Sequence, residues 1–139
     1  MSDYVRIKAI RFKIPDVIIQ DVQKKIKEED LFESPTEILI KQYNLSDYFE
    51  LKLNEFTINS GYDFKNKKHD LFLDYMLDYE YGASGDFESV RLLTENEFNK
   101  YQKLFSQYFN IIRKDELRLV HYSYYNGEDE PSVFNFEEV

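Results

Sequence analysis

His69 to Glu88 reads HDLFLDYMLDYEYGASGDFE and decides how the rest of the chain is interpreted. It carries six carboxylates (Asp70, Asp74, Asp78, Glu80, Asp86 and Glu88), and no Lys or Arg interrupts it between Lys68 and Arg91. Side chains of a strand alternate between its two faces. Read that way, the stretch divides into Leu71, Leu73, Tyr75, Leu77, Tyr79 and Tyr81 on one side and Asp70, Phe72, Asp74, Met76, Asp78 and Glu80 on the other. The first side predicts a core face and the second an outward acidic strip. A helix over residues 70–81 is the competing reading, because Asp70, Asp74 and Asp78 are four apart. It would place like charges at that spacing, leave a very wide apolar face, and directly follow the hairpin-like loop KNKKH. The strand is preferred.

Working outward, Tyr48 to Asn59 predicts a strand, with a turn or bulge at Asn59-Ser60-Gly61 before it pairs with the acidic stretch. Tyr4 to Ile14 (YVRIKAIRFKI) alternates apolar and basic residues, but its phase slips between Ala9 and Ile10. A bulge there restores one buried face. Its Arg6, Lys8, Arg11 and Lys13 suit an edge strand, or pairing across the sheet with the acids. After Gly82-Ala83-Ser84-Gly85, residues 86–93 read as a returning strand, Leu117 to Tyr125 as another, and Asn126-Gly127 as a tight turn before a short strand over residues 133–136.

Three helices are expected. Asp16 is placed to cap the first, which runs to about Glu29 on Ile18, Ile19, Val22 and Ile26. Ser34-Pro35-Thr36-Glu37 opens a second, reaching about Tyr43. Thr94-x-x-Glu97 is a capping box opening the third, whose Phe98, Tyr101, Leu104, Phe105, Tyr108, Phe109 and Ile112 recur at three and four as far as Arg113. Clustered strands joined by short turns, with no Pro/Gly/Ser-rich linker and no repeat, predict one α+β domain over residues 1–139: an antiparallel sheet with two to three helices on one face.

Composition limits the function classes. The chain has 139 residues, no Cys, twelve Tyr, twelve Phe and a net charge of −9. The lack of Cys removes thiolate nucleophiles and every Cys-ligated metal site and fits a reducing compartment, so a cytoplasmic location is expected. No apolar run approaches the ~20 residues of a membrane helix. The acidity is uneven: residues 30–60 have two Lys/Arg against six Asp/Glu, 61–90 three against seven, and 119–139 none against five. Such a field repels nucleic-acid phosphates and anionic lipid and favours cationic partners, so no direct nucleic-acid or membrane binding is expected.

Motifs for catalysis do not assemble. His69 and His121 are the only histidines and lack metal-ligand spacing. GASG misses the G-x-S-x-G nucleophile elbow by one residue, and four nearby acids and no following Lys make it a poor phosphate cradle. Paired carboxylates such as Asp78/Glu80 or Asp86/Glu88 lie roughly 7 Å apart on a strand face, which leaves a divalent-cation site or carboxylate enzyme as a subordinate expectation. The calcium-loop signature is missing. Catalytic, cofactor and metal residues are therefore assigned to none, and no cofactor is expected.

The remaining feature is the strip itself, whose repeat matches the spacing of phosphates along one nucleic-acid strand. Asp70, Asp74, Asp78, Glu80, Asp86 and Glu88, with Phe72 and Met76 as apolar anchors and Glu128, Asp129 and Glu130 in a second acidic loop, are the candidate partner-binding residues. In size, acidity, Tyr/Phe richness and lack of Cys, the whole chain resembles the small anti-CRISPR and anti-defence proteins of phages and mobile elements. The resemblance is compositional and is carried by no motif. It implies a non-catalytic inhibitor and nucleic-acid mimic that blocks a basic nucleic-acid-binding effector such as a guided nuclease. An immunity protein that neutralises a cognate toxin is the alternative.

Overall fold

A computed structural model describes residues 4–47, 52–63, 66–82 and 88–125. Strands β1 (Tyr4–Lys13), β2 (Ser46–Asp47), β3 (Phe56–Asp63), β4 (Lys68–Tyr81), β5 (Glu88–Leu92) and β6 (Leu117–Tyr125) form one sheet in the order β2-β3-β4-β1-β6-β5. Every pairing is antiparallel except that of the two-residue β2, which runs parallel to β3. Helices α1 (Asp16–Glu28), α2 (Pro35–Tyr43) and α3 (Glu95–Phe105) complete an α+β fold. Among the described residues, no helix is long and apolar enough to cross a membrane.

The helices share one face of the sheet. Ile19 and Val22 of α1, Ile38 and Leu39 of α2, and Phe98, Tyr101 and Phe105 of α3 pack with Ile10, Phe12, Ile58, Leu71, Leu73, Leu117 and Leu119 of the strands. Aromatic edges tighten this layer: Phe56 meets Phe105 at 4.9 Å and 88°, and Phe12 lies 5.1 Å from Phe109. Such pairs add to what their burial alone contributes.

The opposite face is buried too. Val5, Ile7, Ala9, Met76, Val120 and Tyr122 form a second cluster that includes no residue of the three helices. This corrects the reading of β1. The strand pairs with β6 in unbroken register from Tyr4↔Tyr125 to Phe12↔Leu117, so it has no bulge at Ala9 and Ile10. Its two apolar parities serve two different clusters. Nor is β1 an edge: β4 and β6 flank it, and Arg6, Lys8 and Arg11 face Glu80, Asp78 and Asp74 across the β4 pairing, while Lys13 faces Phe72.

The irregularity lies in β4 instead. Lys8 pairs with Asp78 and Ala9 with Met76, leaving Leu77 as an extra residue. One extra residue on an antiparallel strand is a β-bulge, and it exchanges the faces of everything beyond it.

Other boundaries differ for local reasons. β4 is a strand over residues 68–81, which overturns the helical reading of 70–81. β3 begins at Phe56 and runs straight through Asn59-Ser60-Gly61, which pair with Phe72, Leu71 and Asp70 rather than turning; the expected strand portion over residues 48–51 lies outside the described residues. In α1 the capping position is Pro15, and Asp16 is already helical, its carboxylate accepting from Lys68 Nζ at 2.8 Å. Ser34 caps α2 as expected, its Oγ accepting from Glu37 N at 3.2 Å. The capping box of α3 is complete, but the helix ends at Phe105 rather than near Arg113. There Phe105 O accepts from both Tyr108 N and Phe109 N, and Gln102 Nε2 donates to Ile111 O at 2.7 Å. That turn keeps Tyr108 and Phe109 on the core, buries Ile111 and leaves Ile112 exposed. Asn126-Gly127 and residues 133–136 lie outside the described residues.

Candidate functional site

The strip expected along β4 is not one surface. Asp70, Phe72, Asp74 and Met76 lie on the face away from the helices, all at 5% exposure or less, and Asp74 is at 0%. Beyond the Leu77 bulge, Asp78 and Glu80 emerge on the helix-bearing side, opposite Lys8 and Arg6, and both are exposed. The placement of all six on one outward face is thus corrected: a single extra residue separates a buried group of four from an exposed pair.

The buried half is an ion-pair network. Arg11 Nε donates to Asp74 Oδ1 at 2.8 Å and Nη2 to Oδ2 at 2.7 Å, a bidentate fork on a carboxylate. Asn59 Nδ2 also donates to Asp74 Oδ2. The guanidinium lies 4.4 Å from the Phe72 ring centroid and 5.2 Å from that of Tyr122, both within cation–π reach. Burial alone would lower the Arg11 pKa. The Asp74 charge and hydrogen bonds, with Tyr122, outweigh it and hold the pKa above its ordinary value. Asp74 and Phe72 therefore serve the interior, where a buried charge is tolerated only when paired and hydrogen-bonded. Asp70 is nearby, with Lys13 Nζ and Lys68 Nζ each 3.8 Å from its carboxylate oxygens. Met76 belongs to the second apolar cluster.

The exposed half is a lattice of mixed charge. Arg6 faces Glu80 and Lys8 faces Asp78 on one side, while Lys8 faces His121 and His121 faces Ser89 on the other. The His121 pKa lies below its ordinary value. Burial is the main cause, Arg6 and Lys8 add to it, and Asp78 and Glu80 oppose them. Opposite charges directly across an antiparallel pair stabilise the sheet modestly. Asp78 and Glu80 are thus accessible acids with cations as cross-strand neighbours. Glu88 opens β5 opposite Tyr122. Asp86, Glu128, Asp129 and Glu130 lie outside the described residues.

Two participants escaped the reading of the chain. Arg11 shares the parity of Val5, Ile7 and Ala9, and a cation in line with buried apolar residues is the signal that a buried acid awaits it. Asn59 carries a turn signal with Ser60 and Gly61, yet it is a donor in the middle of β3. A cleft of about 520 Å³ opens between the end of α2, the start of β3 and the end of α3, with Asn44, Asn54, Phe56, Tyr75 and Tyr108 on its walls. Asn44 and Asn54 both have positive φ, at 55° and 61°. Among the described residues, no three or more His, Asp or Glu side chains are placed to share a metal ion. No protein-family model matches the chain, and no curated protein or solved structure matches it.

Proposed function

We propose that the chain is a non-catalytic binding protein whose acidic surface occupies a cationic, nucleic-acid-binding surface of a partner protein and so inhibits it. One observation supports this reading most directly. The buried charges among the described residues are Arg11, Arg118, Asp70 and Asp74, two of each sign, so they cancel and absorb none of the net −9. Fields of that kind steer and select oppositely charged partners. The contact residues of this reading are Asp78, Glu80, Asp86, Glu88 and the Glu128-Asp129-Glu130 run, while Asp70, Phe72, Asp74 and Met76 are buried and excluded from it.

The test is affinity capture on the purified chain from its native host, followed by measurement of the captured protein's nucleic-acid binding at rising concentrations of the chain. The reading requires a basic partner that loses nucleic-acid binding at about one equivalent, with affinity falling steeply as salt rises. A captured toxin whose activity stops without competition from nucleic acid would support an immunity role instead. A partner of acidic surface, bound without salt dependence, refutes the reading.

A further inference from the structure

Two buried polar atoms of β3 have no hydrogen-bond partner among the described residues: Thr57 Oγ1 and Asn59 Oδ1. Their residues are only 4% and 2% exposed. Phe56 and Ile58 pack toward the helices, so Thr57 and Asn59 share the second face of the sheet with Asp74. Buried polar groups in native proteins are nearly always hydrogen-bonded, to protein or to ordered water. Each of these two atoms therefore calls for a partner.

The sheet gathers both atoms around one carboxylate. Thr57 lies directly opposite Asp74 in the β3–β4 pairing. Asn59 lies opposite Phe72, yet its Nδ2 reaches across to Asp74 Oδ2, which carries its amide toward the Thr57 row. An ionised carboxylate only accepts, so the nitrogen is the end of the amide that meets it, and Oδ1 remains as an acceptor. Asp74 accepts from Arg11 Nε, Arg11 Nη2 and Asn59 Nδ2, three of its roughly four lone-pair sites. Residues two apart on a strand face stand roughly 7 Å apart. That is too far for the short side chains of Thr57 and Asn59 to bond each other and near enough for one molecule of water to touch both.

Charge decides between water and an ion. A hydroxyl, an amide oxygen and a carboxylate would suit a hard cation. The row across the sheet, however, reads Thr57, Asp74, Arg11, Arg118, one carboxylate against two guanidiniums, all buried. Burial already holds the Arg118 pKa below its ordinary value, with Asp115 opposing it. A further positive charge there would be buried beside two others. An anion gains no donor from Asn59 Oδ1. A small neutral molecule that both donates and accepts meets every requirement. We infer that one ordered water is built into the second face, accepting from the Thr57 hydroxyl and donating to Asn59 Oδ1 and Asp74 Oδ1. Three bonds are usual for a buried water. It ties β3 to the Arg11–Asp74 pair, and it is independent of any partner.

The full chain is the sample for every test. In the wild type, NMR cross-relaxation from water to the Thr57 methyl and the Asn59 side-chain amide should carry the sign of a long-lived bound water. Magnetic relaxation dispersion of the water signal should count one long-lived water fewer in Thr57→Val, a change of nearly equal volume, and no fewer in Thr57→Ser. Thr57→Val should also lower the melting temperature by roughly 3–6 °C, because the water and Asn59 lose a partner. A hydroxyl with no partner at all predicts the opposite sign, since valine would relieve its burial. The inference is overturned if Thr57→Val raises the melting temperature, if its count of long-lived waters equals that of the wild type, or if the wild type lacks those cross-peaks. It is equally overturned if sodium, potassium or calcium chloride raises the wild-type melting temperature above that in tetramethylammonium chloride of equal ionic strength and Thr57→Val abolishes the difference, which would mark a cation site. Should Thr57→Val fail to fold, the wild-type cross-peaks and the Thr57→Ser count decide.

Discussion

Asp74→Ala should be the most damaging single change on the second face of the sheet. The substitution removes the carboxylate that receives both Arg11 bonds and the Asn59 bond. Arg11 is only 2% exposed, so its guanidinium cannot regain water without opening the sheet between β1 and β4. Breaking one side of a buried ion pair costs about 3–5 kcal/mol. For a chain of this size that corresponds to a drop of roughly 10–20 °C in melting temperature. The assay is guanidinium denaturation followed by far-UV circular dichroism and by tyrosine fluorescence, the chain having no Trp. The double variant Arg11→Met with Asp74→Leu removes both charges and keeps apolar volume, and should return to within about 2 kcal/mol of the wild type, because a buried pair and an apolar replacement are close in free energy. The coupling from this cycle must then be large. A loss below about 1 kcal/mol for Asp74→Ala would mean that Arg11 reaches solvent, and the account of a closed second face would be wrong.

Three smaller predictions accompany it. Glu97 accepts from Arg91 and from Thr94 N, and these bonds lower its pKa from 4.5 to about 2, so its contribution to stability is fully present above pH 4.5 and is lost as pH falls through about 2; acid titration of unfolding should show this loss in the wild type and less of it in Glu97→Gln, modest because the pair is partly solvated. Thr94→Ala removes the other half of the capping box and should cost about 1 kcal/mol in the same denaturation assay. His121 has its folded pKa below 6.5, so it stabilises the fold in its neutral form, an effect complete above pH 6.5 and lost as pH falls through the folded value; by NMR titration, Lys8→Gln should raise that pKa and Asp78→Asn lower it further.

What could be read along the chain is what short-range chemistry determines. Thr94 and Glu97 bond each other's backbone three residues apart, and Ser34 caps across the same distance, so both helix starts are written locally. The end of α3 is not, because Tyr108, Phe109 and Ile112 continue a helical spacing that the chain uses in a turn. Arg11 and Asp74 meet across 63 positions, and nothing near either residue names the other. The acidic strip failed for a related reason: an extra residue has no signature of its own among alternating Leu, Tyr and Asp, and only the unbroken register of β1 against β6 shows that the slip belongs to β4. Burial of both sheet faces was equally hidden, since two apolar parities in one strand look like an error of phase when a single core is assumed.

The bulge at Leu77 also sets how β4 tolerates mutation. Before it, charge or bulk introduced at positions 70, 72, 74 and 76 strikes a closed interior. Past it, positions 78 and 80 belong to the exposed lattice and should accept most residues, while Tyr79 packs on the second cluster. Substitution scanning along this strand would therefore find positions 70–74 and 76 sensitive whichever face they serve and positions 78 and 80 tolerant, and deleting Leu77 would remove the bulge while leaving Asp78 opposite Lys8 and Tyr79 opposite Ile7, at the cost of the contact Leu77 makes with the helix-face core.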